Sequence, residues 1–307
     1  MKIGIGIGEL SGKPVPLEGV LQQAEEAEAD GFASAWIPQI FGLEALTICA
    51  LVGTRTRRIE IGTAVVPSYP RHPTVMAQQA LTANVACEGR LTLGIGLSHP
   101  VVVEEILGLS YAKPFTHMKE YVETITPMLS GEAVAYDGKE FRIHAQVGFE
   151  GLHRTRLMIA ALAPKMIGLA GSQTDGTITW MTGTKTLRDY VVPRMREASE
   201  KAGREMPRIV CGLPIAVCDD AEAARQIAAK FFVVYGSLPS YRAMLDREGV
   251  AGPADVAIVG PEDSVREQLA ALREAGVTDF LAAPFPAEPD SAASMARTRE
   301  LLKSEVG

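Results

Sequence analysis

The chain lacks the spacings from which metal centres, disulfide frameworks and nucleotide cradles are ordinarily built. Its four cysteines, Cys49, Cys87, Cys211 and Cys218, form no Cys-x-x-Cys pair. Their apolar or small neighbours mark them as buried free thiols. Five histidines, His72, His99, His117, His144 and His153, lie far apart, no two at the spacing that puts a pair of ligands on one helix face. No metal site is expected. No apolar run approaches the roughly 18 residues of a membrane span. Residues 1–8 hold one lysine and a glycine-broken apolar run, too short for a signal peptide. Lys and Arg number 30 against 37 Asp and Glu, a net charge of −7. That balance argues against nucleic acid as a partner, and an anionic ligand must be held by a local cluster of donors. A soluble, cytoplasmic protein is the expectation.

Three catalytic signatures are also missing. Gly4-Ile5-Gly6-Ile7-Gly8 has the wrong spacing for a dinucleotide fingerprint, which needs glycine where Glu9 stands. A P-loop ending near Gly183 would need glycine at 178 and lysine at 184, where Ile178 and Thr184 are found. Lys185 is left as a possible anion helper or a solvated surface residue. No Gly-x-Ser-x-Gly elbow occurs.

What is present is core-forming: 47% hydrophobic against 22% charged residues, enough to exclude a disordered chain. Short β-type runs fall at residues 2–8, 34–38, 59–66, 91–96, 156–161, 176–181, 208–217 and 278–283. Amphipathic stretches such as 17–30, 73–86, 164–171 and 263–275 alternate with them. Asp219 or Asp220 caps a helix over 221–232, and Gly260-Pro261-Glu262-Asp263 precedes the last long helix. Gly31 and Gly276 stand at helix C-cap positions. The alternation predicts a parallel sheet. Eight units in this length suit a closed (β/α)8 TIM barrel with insertions, forming one domain over 1–307, with an open doubly wound sheet as the competing fold. The insertions fall at about 110–154, with a helix at 116–129 and a hairpin around Tyr136-Asp137-Gly138-Lys139, and at 235–259, with a short helix near 241–248. The second reads as a lid over the barrel mouth, through Tyr235, Ser237, Leu238, Pro239 and Tyr241, or as an oligomer contact.

The most informative stretch is residues 90–100. A strand of alternating apolar residues runs into Gly94 and Gly96, passes Leu97 and Ser98, and stops at His99 before Pro100. Glycines let another body approach the backbone. A titratable residue just past a strand's C-terminal end is where α/β enzymes place chemistry. An imidazole titrates near neutral pH, so His99 is the candidate proton donor or acceptor. Arg71 and His72, in a proline-stiffened loop after the third strand, are potential anion donors. After the fifth strand, Ala161, Ala163, Pro164, Lys165 and Met166 open a helix whose free N–H groups can hold a phosphate or simply turn the chain. Trp36, Phe41, Val65, Leu97, Trp180, Met181, Leu213 and Phe285 lie at or beyond strand ends. Together they predict an apolar lining for a flat cofactor or apolar substrate, though core packing is the default for any one of them.

These motifs together resemble the bacterial luciferase-like family, and within it the branch that uses the deazaflavin coenzyme F420. The matching residues are Ala29-Asp30-Gly31-Phe32 leading to Trp36, Ile61-Gly62-Thr63-Ala64-Val65, Gly89-Arg90-Leu91-Thr92-Leu93-Gly94-Ile95-Gly96, Ala163-Pro164-Lys165-Met166 with Ala170-Gly171 and Asp175-Gly176, and Ala275-Gly276-Val277-Thr278. The resemblance implies a barrel with a deazaflavin or flavin in its mouth. It also implies a non-prolyl cis peptide at Ala64–Val65 and a cofactor phosphate at Ala163–Met166. Gln39, Ala64, Val65, Gly96, Leu97, Ser98 and Ala161, with that loop and Trp180, are expected to face the cofactor. Trp36, Phe41, Trp180, Met181, Leu213 and Phe285 are expected to face the substrate. Two positions depart from the family pattern. Gln39 and Ile40 stand where many deazaflavin relatives have Asp-His, and His99 stands where several have a catalytic glutamate. The basic substrate-phosphate set is not evident either, so a less polar substrate is expected. The expected activity is hydride transfer between F420 and a largely apolar small molecule. FMN-dependent monooxygenation and flavin binding without turnover are the alternatives. The expected partners are cofactor, substrate and a second copy of the chain, with neither nucleic acid nor membrane.

Overall fold

Eight parallel strands close on themselves in the computed structural model, which describes residues 1–9, 15–287 and 291–306. They are β1 (Lys2–Gly6), β2 (Ser34–Ile37), β3 (Glu60–Thr63), β4 (Leu91–Gly96), β5 (Arg156–Ala160), β6 (Gly176–Trp180), β7 (Arg208–Val217) and β8 (Asp279–Pro284). Each pairs with its successor, and β8 pairs with β1, Lys2 opposite Asp279 and Ile5 opposite Ala282. This is a (β/α)8 barrel, as the alternation predicts, and the open sheet is excluded. A short strand, Val66–Pro67, continues β3 and pairs with β4 beyond the break at Ala64–Val65, where the peptide is cis.

Some of the helices begin or end where a side chain or a glycine satisfies their free backbone groups. They are α1 (Leu17–Ala29), α2 (Ala45–Arg55), α3 (Pro73–Ala86), α4 (Pro114–Met128), α5 (Pro164–Gln173), α6 (Val192–Lys201), α7 (Ala221–Phe231), α8 (Pro239–Glu248), α9 (Glu262–Glu274) and α10 (Ser291–Ser304). Glu44 caps α2 and Asp220 caps α7, each carboxylate accepting backbone N–H bonds. Gly31 and Gly276 have φ of 86° and 96° and stop α1 and α9. The cap expected at 260–263 differs: Pro261 is the N-cap and supplies no side-chain bond. In the insertion before β5, Ala133–Asp137 and Arg142–Gln146 form the expected hairpin. The Glu120 carboxylate holds it by accepting from Lys139, Glu140 and Phe141 N–H. In the segment between β7 and β8, a short helix, Val233–Ser237, precedes α8.

The barrel interior is filled from below. At the bottom, Arg208 bridges Glu60 at 2.8 Å and Asp279 at 2.6 Å, and Thr92 donates to Glu60 at 2.7 Å. Above them Trp36, wholly buried, packs with Met158, Ile178, Val210 and Leu281, its indole N–H donating to Ser34. Gly62 faces that ring, and a Cβ there would come within 2.3 Å of it. The next layer up is small, with Gly96, Ala160 and Gly212 beside Val65 and Trp180. The filled floor closes the lower end of the barrel, and the layer of small residues lies toward its C-terminal mouth, where barrel enzymes place their ligands.

Candidate active site

The end of β4 places His99 at the mouth. Gly96 faces Val65, and a Cβ on Gly96 would lie 2.6 Å from it. Ser98 then takes a left-handed conformation, φ 62°, rare for a residue with a side chain and common at functional turns. The His99 carbonyl accepts N–H bonds from Val102 and Val103, opening the short π-helical turn Val102–Ile106. The imidazole is half-buried, and burial alone lowers its pKa below 6.5. At neutral pH it is therefore poised to accept a proton.

An aromatic roof crosses the mouth from β4 to β8. The His99 ring lies 5.6 Å from Tyr241 of α8, and Tyr241 meets Tyr235 edge-on at 5.2 Å. Tyr235 reaches Trp180 at 5.9 Å, Trp180 reaches Phe232 at 6.1 Å, and Phe232 reaches Phe285 at 5.9 Å. The Trp180 indole N–H is buried without a well-formed hydrogen bond, and the Tyr235 phenol is the polar group facing it. The roof is anchored. The Glu248 carboxylate at the end of α8 accepts from Lys185 N–H at 3.0 Å and Thr186 N–H at 2.7 Å, and packs so close to Gly183 that a Cβ there would displace it.

Beyond β5, α5 starts at Pro164 after an Ala163 N-cap that supplies no side-chain bond. The Lys165 and Met166 N–H groups at this helix start have no intrahelical acceptor and remain available to an anion. Lys165 extends over the Phe115 ring at 5.6 Å. Arg71 is held by Glu44 at 2.9 Å, with Nη1 buried and unpartnered. His72 does not act as an anion donor through Nδ1, which accepts the Thr74 N–H at the start of α3.

Several expected lining residues lie elsewhere. Trp36 is enclosed in the barrel interior, out of a substrate's reach. Leu213 sits on the opposite side of β7 from Gly212. Since Gly212 faces the inward Trp180 ring, strand alternation turns Leu213 outward, into the helix-packed core. Met181 is wholly buried, and Phe285 is buried beneath Phe232. Phe41 is exposed at the rim, and the Gln39 side chain accepts the Ala45 N–H. The sequence reading missed the Glu248 anchor, because nothing local to residue 248 marks a contact 62 residues away. It also missed a buried pair, Ser68 Oγ and His117 Nε2 at 3.0 Å, with Tyr69 stacked on the imidazole at 4.0 Å.

Comparison with known proteins decides the family, for a model of luciferase-like monooxygenases matches residues 2–279. The chain belongs to the luciferase-like monooxygenase family. It is 30% identical to the 5,10-methylenetetrahydromethanopterin reductase of Archaeoglobus fulgidus, over 91% of this chain and 92% of that one. It is 27% identical to a putative coenzyme F420-dependent oxidoreductase of Mycobacterium tuberculosis, over 94% and 96%. The fold superposes on the coenzyme F420-dependent tetrahydromethanopterin reductase of Methanopyrus kandleri with a TM-score of 0.81, at 21% identity, covering 99% and 98% of the two chains. The FMN-bound oxygenating constituent of a Pseudomonas putida diketocamphane monooxygenase has the same fold, with a TM-score of 0.77 at 17% identity, covering 100% and 97%.

Proposed function

We propose that this family member is a coenzyme F420-dependent oxidoreductase that moves a hydride between the deazaflavin and a largely apolar small molecule. The observation that carries the reading is the position of His99, half-buried under an aromatic roof at the mouth of a barrel plugged below by Trp36. The F420-dependent relatives support the choice of cofactor. The residues present fit such a group. The small layer at Gly96, Ala160 and Gly212 admits a flat ring against Val65 and Trp180, and the uncapped start of α5 suits its phosphate.

When bound, the deazaflavin supplies a ring carbon that gives or takes a hydride. The chain supplies the rest. His99 takes the substrate's proton during oxidation and returns it during reduction. Trp180, Tyr235 and Tyr241 keep water from the reacting carbon. Ala163, Pro164, Lys165 and Met166 hold the anionic tail, and Ala64, Val65, Leu97, Ser98 and Ala161 form the wall behind the ring. The reading includes a single domain and a homodimer in the cytoplasm. The net charge of −7 supports small-molecule rather than nucleic-acid partners.

Replacing the imidazole tests the assignment. His99→Ala is expected to fold and to bind F420 as the unaltered protein does, yet to lose about a hundredfold in turnover. In the unaltered enzyme, oxidation should fall off only below pH 6.5, because burial lowers this pKa and protonation blocks the base. Near-normal turnover across pH in His99→Ala removes His99 from the chemistry.

A further inference from the structure

Tyr190 is buried in the π-helical turn Leu187–Val191 that follows β6, and its ring carries a guanidinium on each face. Arg194 of α6 and Arg247 of α8 both place Cζ 4.0 Å from the ring centroid. A guanidinium that close covers the face it sits on, so the two lie on opposite faces, no more than twice that distance apart. The ring attracts each cation, but a π face does not cancel the repulsion between two like charges. Carboxylates ordinarily do, and those nearest in the chain are engaged elsewhere. Asp189 is held by Arg188, and Asp246 by Arg242. Glu197, which feels the charge of Arg194, is bonded to Lys201, and Glu248 accepts the Lys185 and Thr186 N–H groups. Among the described residues the Arg247 guanidinium has no hydrogen bond or ion pair, and that of Arg194 bonds only the Tyr190 carbonyl. In a chain of net charge −7, two arginines left without a carboxylate are the less expected. The Tyr190 hydroxyl donates to the Leu162 carbonyl at 3.2 Å, two residues before Pro164 opens α5. The paired cations therefore stand beside the helix start whose free N–H groups suit one anion, as a second and separate set of donors.

We propose that Arg194 and Arg247 bind a second anionic group of the ligand, a carboxylate lying beyond the phosphate held at the start of α5. This rests on the deazaflavin reading and deepens it. A carboxylate has two oxygens. With one turned to each guanidinium it bridges the pair and offsets the repulsion. The planar fork of arginine suits that geometry better than the point charge of lysine. Coenzyme F420 carries carboxylates beyond its phosphate, whereas FMN ends at the phosphate. The two arginines thus select the longer cofactor. Tyr190 is a positioning residue, which holds both guanidiniums and ties them to the start of α5.

Equilibrium titration, followed by the deazaflavin's own fluorescence, tests this without turnover. The unaltered protein, Arg247→Gln and Arg194→Gln are each titrated with F420 and with the same deazaflavin ending at its phosphate. Losing one charged contact should weaken F420 about three- to tenfold and leave the shortened form unchanged. Added salt should narrow the difference between the two ligands in the unaltered protein, because screening weakens exposed charge pairs. Equal weakening of both ligands would mean that the arginines only support Tyr190 and the helix start, and overturns the proposal. Arg247 is exposed, so if Arg194→Gln fails to fold, Arg247→Gln carries the comparison alone. If neither ligand binds the unaltered protein, the deazaflavin reading falls and this proposal with it. If both bind and neither substitution changes their affinity, the proposal alone falls.

Discussion

His117 couples this fold to pH. Its imidazole is buried against Tyr69, Tyr121 and Phe141, shares a hydrogen bond with Ser68, and has its pKa lowered from 6.5 to about 4 by burial, which outweighs the opposing pull of Glu120. The neutral form is favoured in the folded state. The unfolded chain therefore binds the proton first as pH falls, and the stabilisation is complete above pH 6.5 and lost between 6.5 and about 4. A shift of that size corresponds to about 3 kcal/mol. His117→Phe keeps the ring packing and removes the titration. It should be less stable at pH 7, where Ser68 loses its partner, and show a shallower fall in urea midpoint between pH 6.5 and 4.5. An unchanged pH slope would mean that another group governs acid sensitivity. Ser68 also donates its backbone N–H to the Gly96 carbonyl, so the pair braces the end of the strand that carries His99. At this scale the sequence was legible where backbone chemistry is local. Gly31, Gly276 and the turn before His99 lie where the sequence puts them, and the peptide at Ala64–Val65 is cis as the family resemblance implies. It was illegible where a strand's two sides had to be told apart. Trp36 lies near the end of its strand and Leu213 in the middle of β7, yet Leu213 points to the helices and Trp36 into the barrel.

Among the elements, α8 is tied to its neighbours chiefly at its C-terminal end. Glu248 joins it to the segment after β6 through two charge-assisted bonds, and Thr186 Oγ1 adds a bond to the Met244 carbonyl. Within α8 itself, Arg242 reaches the Val250 and Ala251 carbonyls and fixes the helix end at Gly249, φ 84°. Tyr241 therefore sits over His99 on a helix tied at its C-terminal end. By contrast, Val233 and Val234 in the helix before it are exposed. Glu248→Ala removes bonds to a charged acceptor, each worth roughly 1.5–3 kcal/mol. Hydrogen–deuterium exchange should speed up at Lys185, Thr186 and along residues 239–248, with the hairpin at 133–146 unaffected. Unchanged exchange in α8 would show that its packing and its remaining hydrogen bonds hold it without Glu248. The periodicity of this segment predicted a helix near 241–248, and the structure starts it two residues earlier, at Pro239, where proline fits a first turn. The helices Ala45–Arg55, Val192–Lys201 and Ser291–Ser304 were not singled out from sequence. Ala45–Arg55 shows why. It is apolar on most sides and carries one charged residue, so its pattern does not separate a helix from a buried strand.

On the scale of the whole molecule, the alternation of eight β runs with helical segments was enough to predict a closed parallel barrel, because few other topologies bury eight such strands. What plugs the barrel was not predictable. The Arg208–Glu60–Asp279 set joins residues far apart in the chain, brought together only by closure. That plug and the Trp36 layer leave the C-terminal mouth as the place for chemistry, and the mouth combines an aromatic roof, a small-residue wall and an uncapped helix start. The central claim is that this mouth is shaped for a deazaflavin. Equilibrium titration of the purified protein with F420 and, separately, with FMN tests it most directly, following each cofactor's own absorbance and fluorescence. The account predicts saturable binding of F420 at least about tenfold tighter than FMN, a difference of roughly 1.4 kcal/mol. Tighter binding of FMN, or saturation by neither, would contradict it.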